Sequence, residues 1–474
     1  MKLAKPGSAP KPPPEPSKSP KPPKPPTPTR SSKPPGSPGS PASARLGWLD
    51  ALRGIAALAV AMHHFGLLGK IPHAGGVPRH LDLGFFGVML FFLVSGYIIP
   101  ASLERRGDVR AFWTGRLFRI YPAVAVTVLA SLLVLPRSGQ IVQSFPFDHP
   151  VLSLAANGLL LQDLLGVPST IGVMWSLTYE MVFYYFVCAL FVRGWHRHSA
   201  PIAVGFASVA LVLGTWLPIG GISVDLAATR HLVAAAGIVV LMAAACIATA
   251  RPDLTRWGAL LLGGLGLVLI TVNNRTTGFE TMLIFATMFA GTVLYRLEHG
   301  LLDRLPALLC CGFVIVTGVT VGYLYNRDTA LWHTWTPSWE SFSSAYLAAW
   351  ALFAAAMLLR RRRFPRWLCG LGTISFSVYL LHGPLMYFLG WKLRDYPPIV
   401  GPKGQAALTL GYLGAVVVLS WLSYRLVEIP FQNLGRRAVR ALDRRFPAPA
   451  PAPPAAAAPG PRVPEPEPEP AAGV

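Results

Sequence analysis

Charge is what this sequence has least of for its length. Only 13% of its 474 residues are Asp, Glu, Lys or Arg and 53% are hydrophobic, whereas soluble globular chains carry about 25% charged residues. A water-soluble enzyme is excluded first. Acidic residues are scarcer still, 21 against 42 basic ones, for a formal net charge of +21. A basic balance of that size can point to nucleic acid. Here the Lys and Arg sit in the N-terminal arm and in short loops between apolar runs, where they report membrane topology instead. Nucleic acid is therefore not expected as a partner. Cysteine is also rare: Cys188, Cys246, Cys310, Cys311 and Cys369 lie in or at the edge of apolar runs and show no metal-ligand spacing. We read them as lipid-buried or core thiols and expect no metal.

Aliphatic side chains are almost missing from both ends. Residues 1–47 are dominated by Pro, Lys and Ser, too poor in packing groups to offset their ordering entropy, and are expected to form a disordered basic tail. No secretory signal is expected there, because no apolar core follows a short positive region before residue 48. The far end is an Ala/Pro run closing in Pro-Glu repeats, and we assign residues 438–474 to a second disordered tail. Residues 48–437 are left as a membrane-embedded domain. They contain apolar segments of roughly 16 to 23 residues, about what a helix needs to cross a hydrocarbon core ~30 Å thick. The spans are 51–68, 83–103, 118–135, 173–192, 201–217, 231–250, 257–272, 281–297, 305–325, 342–359, 372–391 and 406–426. The fold class expected is all-α, a polytopic integral membrane protein with twelve transmembrane helices, or ten if the Gly-rich spans around Gly214 and Gly263 fail.

The basic residues test that count independently, since cytoplasmic loops retain Lys and Arg. With the N-terminus inside, the inside loops hold Arg105, Arg106, Arg110, Arg116 and Arg119, then Arg193 with Arg197, Arg251 with Arg256, and Arg296 with Arg304. The run Arg360 to Arg363 follows, and Arg436, Arg437, Arg440, Arg444 and Arg445 close the series. Both termini are expected in the cytoplasm, in a multi-pass protein of the cell's inner (cytoplasmic) membrane.

Polar groups inside apolar helices are costly and are functional candidates by default. In the first span, Asp50 and Arg53 lead into His63 and His64. Eleven residues separate Arg53 from His64, about three turns plus 20°, so the two share a face some 16 Å apart. That stripe suits a polar channel entered from the cytoplasm. The alternative is that Arg53 snorkels and pairs with Asp50 while His64 bonds a helix contact; for His63 a structural role is preferred. Arg116 and Arg119, three apart, present forked donors suited to phosphate, or simply mark a cytoplasmic helix end. After Trp175 and Ser176, Glu180 falls about two turns into its span, at the depth estimated for His64. A carboxylate there can orient the ring and fix its tautomer, unless it is a structural group. Tyr379 and His382 lie near mid-membrane in the eleventh span, and Glu428 with Arg425 reads as an ion pair closing the last one.

These residues resemble the acyltransferase-3 family of integral-membrane O-acyltransferases. The parts are Leu49-Asp50-Ala51-Leu52-Arg53-Gly54 with His64 after ten intervening residues, Phe85-Phe86-Gly87 through Ser95-Gly96-Tyr97, and Arg116 to Pro122. Trp175-Ser176-Leu177 to Glu180, Ser377 to His382, and Glu428-Ile429-Pro430 complete the order. The resemblance implies a cytoplasmic acetyl-CoA or other acyl-CoA as co-substrate, no permanently bound cofactor, and an acceptor hydroxyl on a glycan or glycosylated natural product. It implies essential roles for Arg53 and His64 and acyl-CoA handling by Arg116 and Arg119; the helix depths add Glu180 to the catalytic group and Arg53 to the acyl-CoA set. Asp50, Trp175, Ser176, Tyr379 and His382 are candidates for the acceptor path or channel. A twelve-helix transporter is the rival class, although no first-span motif recurs in the second half. We expect His64→Ala to abolish acyl transfer in purified protein that remains folded, and His63→Ala to be mild. Equal loss in both variants would count against the shared-face argument.

Overall fold

The structure is a computed structural model that describes residues 41–66, 80–135, 144–326, 335–397, 399 and 401–445. Its helices, in chain order, are α1 (Pro41–His64), α2 (Leu83–Arg106), α3 (Val109–Val134), the short α4 (Phe145–Asp148) and α5 (Pro150–Leu159), and α6 (Trp175–Val192). There follow α7 (Ser199–Leu213), α8 (Leu226–Ala248), α9 (Pro252–Val272), α10 (Gly278–Glu298), α11 (Arg304–Tyr325) and α12 (Trp339–Leu358). The last four are α13 (Arg366–Thr373), α14 (Ser375–Leu393), α15 (Pro402–Ser423) and α16 (Ile429–Arg445). Among the described residues the only β pairing is an isolated bridge between Ile219 and Asn274.

Helix α10 forms the axis of the bundle. It is buried on every face from Gly278 to Val293, with Glu280 and three threonines enclosed among its apolar side chains. Helix α2 crosses it where both carry glycine. A Cβ at Gly96 would lie 1.8 Å from the Met288 carbonyl oxygen, and one at Gly291 would lie 2.4 Å from that of Leu93. Small residues permit such backbone approach in membrane bundles, and Thr292 Oγ1 donates to the Gly96 carbonyl across the crossing at 2.9 Å. On the perimeter the pattern inverts. Leu241 of α8 and Leu410 of α15 are each 70% exposed, a face that hydrocarbon, and not water, would cover.

Three local devices aim the polar side chains. The α2–α3 hairpin is tight because Gly107 adopts φ +67° as its C-cap and Asp108 accepts from Arg110 N–H at 2.8 Å and Ala111 N–H at 3.2 Å. It brings Arg116 of α3 back alongside Ser102 of α2. The eleventh apolar span is broken: α13 and α14 meet at 69°, and a Cβ at Gly372 would fall 1.8 Å from the Asp50 carbonyl oxygen. Last, a π-helical turn over Tyr424–Glu428 separates α15 from α16; such bulges re-aim side chains at functional sites.

Each of the twelve apolar spans contains a helix, but the count of twelve crossings does not carry over. Among the described residues nine helices are long and apolar enough to cross a membrane, ten if the bent pair is one span. Helix α1 lies outside that set. So does α7, whose 15 residues fall short of the roughly 17–25 needed. Helix α1 begins at Pro41 and α16 runs to Arg445, while residues 1–40 and 446–474 of the two expected tails lie outside the described residues. The α2–α10 crossing predicts that Gly96→Ala destabilises by about 1–3 kcal/mol, the cost of overpacking. At Gly264 a Cβ meets nothing within 4 Å, and Gly264→Ala is expected to be neutral or to stabilise by up to ~1 kcal/mol. Thermal unfolding of both variants in detergent checks the pair.

Candidate active site

A cavity of about 250 Å³ opens between α1, α2, α3, α6 and α14. Asp50 and Arg53 enter it from α1, Arg116 and Arg119 from α3, Ser176, Glu180 and Tyr184 from α6, and Ser375 and Tyr379 from α14. Three guanidiniums therefore face two carboxylates across one space. Among the described residues none of the three has a carboxylate within ion-pair distance, 4.0 Å. Arg116 is instead held by its neighbours: Nη2 donates to Ser102 Oγ at 3.2 Å and the guanidinium lies 5.3 and 5.1 Å from the Phe112 and Tyr184 ring centres. The Asp50–Arg53 ion pair considered from the sequence is not formed. Arg53 lies within electrostatic reach of Arg119, Asp50, Glu180 and Glu428 together.

Glu180 requires a correction. Its carboxylate accepts from Tyr184 Oη, one turn on along α6, and it lines the arginine cavity. It does not contact His64, because a similar depth on two helices does not make two side chains face each other. The group that meets His64 is His382, whose Nε2 lies 3.3 Å from His64 Nδ1. His64 Nδ1 is also 3.0 Å from the Val60 carbonyl oxygen, and His382 Nδ1 is 3.1 Å from that of Val378. His382 is fully buried. His64 does not line the cavity, although Arg53 does. Tyr379 stands between: its hydroxyl is 2.7 Å from Ser176 Oγ on the cavity wall, and its ring lies edge-on to His382 with centres 5.9 Å apart.

The remaining candidates separate. Trp175 does not line the cavity; its ring packs on Trp335, 4.5 Å between centres, under the Arg275 guanidinium at 5.4 Å. His63 Nδ1 lies 3.4 Å from Asp82 Oδ1, the group that caps α2. Glu428 does not pair with Arg425 as expected. The π-helical turn points it inward to accept from Ser377 Oγ at 2.6 Å, and Arg425 lies over Trp421 instead.

Sequence reasoning missed Tyr184, although an acid and a tyrosine four apart on a helix share a face. It also missed a second polar cluster, which lies outside all twelve spans. There Asp163 Oδ1 pairs with Arg275 Nε at 3.1 Å while Oδ2 accepts from Ser169 Oγ at 2.6 Å and Gln162 Nε2 at 3.1 Å. Burial pushes the Asp163 carboxyl up from its ordinary value against the opposing pull of Arg275.

A family model described as an acyltransferase domain matches residues 46–425. Over 402 residues the chain is 24% identical to a Komagataeibacter xylinus protein provisionally named membrane-bound transacylase, a match spanning 83% of this chain and 85% of that one. It is 31% identical over 154 residues to an acyltransferase of Streptomyces mycarofaciens, covering 30% of this chain and 38% of that one. A provisionally named O-acetyltransferase of Staphylococcus aureus is 33% identical over 103 residues, 20% of this chain and 15% of its own length. The chain thus spans most of the first of these relatives and well under half of the other two. With the domain match running from within the cavity-lining helix α1 to the π-helical turn, the chain belongs to the acyltransferase-3 family of multi-pass membrane acyltransferases.

Proposed function

We propose that the chain moves an acetyl or other short acyl group from acyl-CoA to a hydroxyl of a glycan or glycosylated natural product, in the cell's inner (cytoplasmic) membrane. The observation that carries this reading is the gathering of Arg53, Arg116 and Arg119, unpaired, in one cavity of an acyltransferase bundle. Guanidiniums without a carboxylate partner, in a partly desolvated space, are suited to phosphate oxygens. The arginine end also carries Arg105, Arg106 and the Arg360 to Arg363 run, so the basic-residue bias supports a cytoplasmic donor. The O-acetyltransferase name of the staphylococcal relative supports oxygen as the acceptor atom.

The histidine pair supplies the base. His382 Nδ1 faces a carbonyl oxygen, which can only accept, so that nitrogen carries the proton. Its Nε2 is then a bare acceptor, and His64 Nδ1 is the donor facing it. The neutral His64 ring is left with its lone pair on Nε2. In the proposed reaction Nε2 takes the acceptor hydroxyl proton as that oxygen attacks the thioester carbonyl. The tetrahedral intermediate collapses, the C–S bond breaks, and the departing thiolate of coenzyme A recovers the proton from His64. Arg53 to His64 spans about 16 Å of helix, the length the donor's thioester arm has to cover, and Tyr379 has to swing from Ser176 to let it pass.

Arg116→Ala removes a charge-assisted bond worth about 1.5–3 kcal/mol, and acyl-CoA should bind roughly 10–100-fold more weakly by calorimetry. Unchanged affinity would reduce the arginines to topology markers. His382→Ala removes one of the two acceptors that face His64 Nδ1, the Val60 carbonyl being the other, and should slow transfer by about 10- to 100-fold with acyl-CoA affinity unchanged. Full turnover in that variant would remove the tautomer argument.

A further inference from the structure

Helix α16 changes character at Gly435. Phe431, Leu434, Arg437 and Arg440 are all exposed and, spaced three apart, form one row along its surface. The row is apolar as far as Leu434 and basic from Arg437 on, and the exposed Arg436 stands beside Arg440, four residues away. Past Leu434 no large apolar side chain of α16 is exposed. Neighbouring α3 sets the level of the switch. A Cβ at Gly435 would lie 2.7 Å from Phe118 Cβ, at the residue where the apolar run of α3 begins, while Arg110 Nη2, at the polar start of α3, donates to Asp443 Oδ1 at 3.1 Å. Beyond Gly435, α16 therefore runs beside the part of α3 that precedes its apolar run.

The arginines of the row are unanswered within the chain. Asp443 is the only acid on α16, and Arg110 takes it. Among the described residues no carboxylate lies within 4.0 Å of Arg436, Arg437 or Arg440. Arg436 Nη2 donates to the Asn433 side chain and Arg440 Nε to the Arg436 carbonyl at 3.3 Å, which leaves most donors of each fork open. Two ordinary roles do not account for the arrangement. A topology marker needs positive charge but no particular azimuth. The helix dipole favours cations within the last turn, which covers Arg444 and Arg445 and not these three.

We infer that Arg436, Arg437 and Arg440 bind the phosphate of an anionic phospholipid in the leaflet on the arginine-cavity side of the bundle. Position selects the lipid: Arg440 is six residues from Leu434, about 9 Å of helix, so a partner has to sit in the layer bordering the hydrocarbon that covers Phe431 and Leu434. Headgroup phosphates fill that layer, which is roughly 5–7 Å thick, and guanidinium forks match their oxygens. A headgroup held there braces α16 against α3, the helix that carries Arg116 and Arg119. The inference stands on the charge and exposure of α16 and does not depend on the acyl-transfer reading.

The test is native mass spectrometry of the full purified chain, released from neutral-detergent micelles that hold dioleoylphosphatidylglycerol and dioleoylphosphatidylcholine in equal amounts. Phosphatidylglycerol should be retained in preference, and the preference should shrink as salt rises. One arginine near an anionic surface changes partitioning roughly fivefold, so combining Arg436→Gln, Arg437→Gln and Arg440→Gln should lower the preference by at least about tenfold. Removing three exposed charges elsewhere, with Arg251→Gln, Arg256→Gln and Arg304→Gln, should leave it in place. An unchanged melting temperature without lipid keeps the loss from being one of folding, and the salt series on the unmodified chain needs no variant. Equal retention of the two lipids, a preference indifferent to salt, or equal loss in the two triple variants would overturn the lipid site. So would an α16 variant that keeps its phosphatidylglycerol and binds acyl-CoA more weakly, since the row would then belong to the donor's phosphates.

Discussion

A guanidinium inside an apolar helix bundle has to be answered by something polar, and here three of them are answered by one cavity. Arg53 and Arg119 repel each other across it, and Asp50, Glu180 and the inward-turned Glu428 offset that repulsion without closing on any of them. The rest of the architecture follows from this constraint. The capped α2–α3 hairpin returns Arg116 to the cavity, the 69° break before α14 lets Gly372 lie against the Asp50 carbonyl, and the π-helical turn rotates Glu428 toward Ser377. Each is a departure from regular helix that a bundle of uninterrupted spans would not contain.

The chemistry divides along the axis of α1. Its middle turns hold charge at the arginine cavity, and its last turn holds an imidazole against a second imidazole. A neutral partner for His64 has a physical consequence. Histidine can fix the tautomer of its neighbour without adding a buried charge, which a carboxylate would do at considerable desolvation cost. It also offers the imidazolium less stabilisation than a carboxylate, so the base is oriented more than it is strengthened. Glu180 is thereby released to balance the arginines, where its bond from Tyr184 keeps it.

Much of this was legible beforehand because membranes make sequence unusually explicit. Apolar runs located a helix for every span, and buried polar groups singled out Arg53, His64, Arg116, Arg119, Glu180 and Tyr379 before any contact was known. Errors arose where two helices had to be compared. Equal estimated depth paired Glu180 with His64, yet the azimuth of α6 sends the carboxylate into the cavity and the fold of α14 brings His382 to the ring instead. Arg425 and Glu428 read as an ion pair three apart on a regular helix; the extra residue of the π-helical turn breaks that spacing. Asp163 and Arg275 were invisible because 112 positions separate them.

Composition and periodicity by themselves determined the all-helical membrane class and which few polar residues could not be idle, since hydrocarbon penalises every unexplained charge locally along the chain, and the order of the motifs carried the family resemblance. Which of those residues share a space was decided only in three dimensions. Helix azimuth, the break at Ile374 and the meeting of Asp163 with Arg275 depend on packing between segments, and a single chain's order carries no record of the angle at which one helix turns toward another.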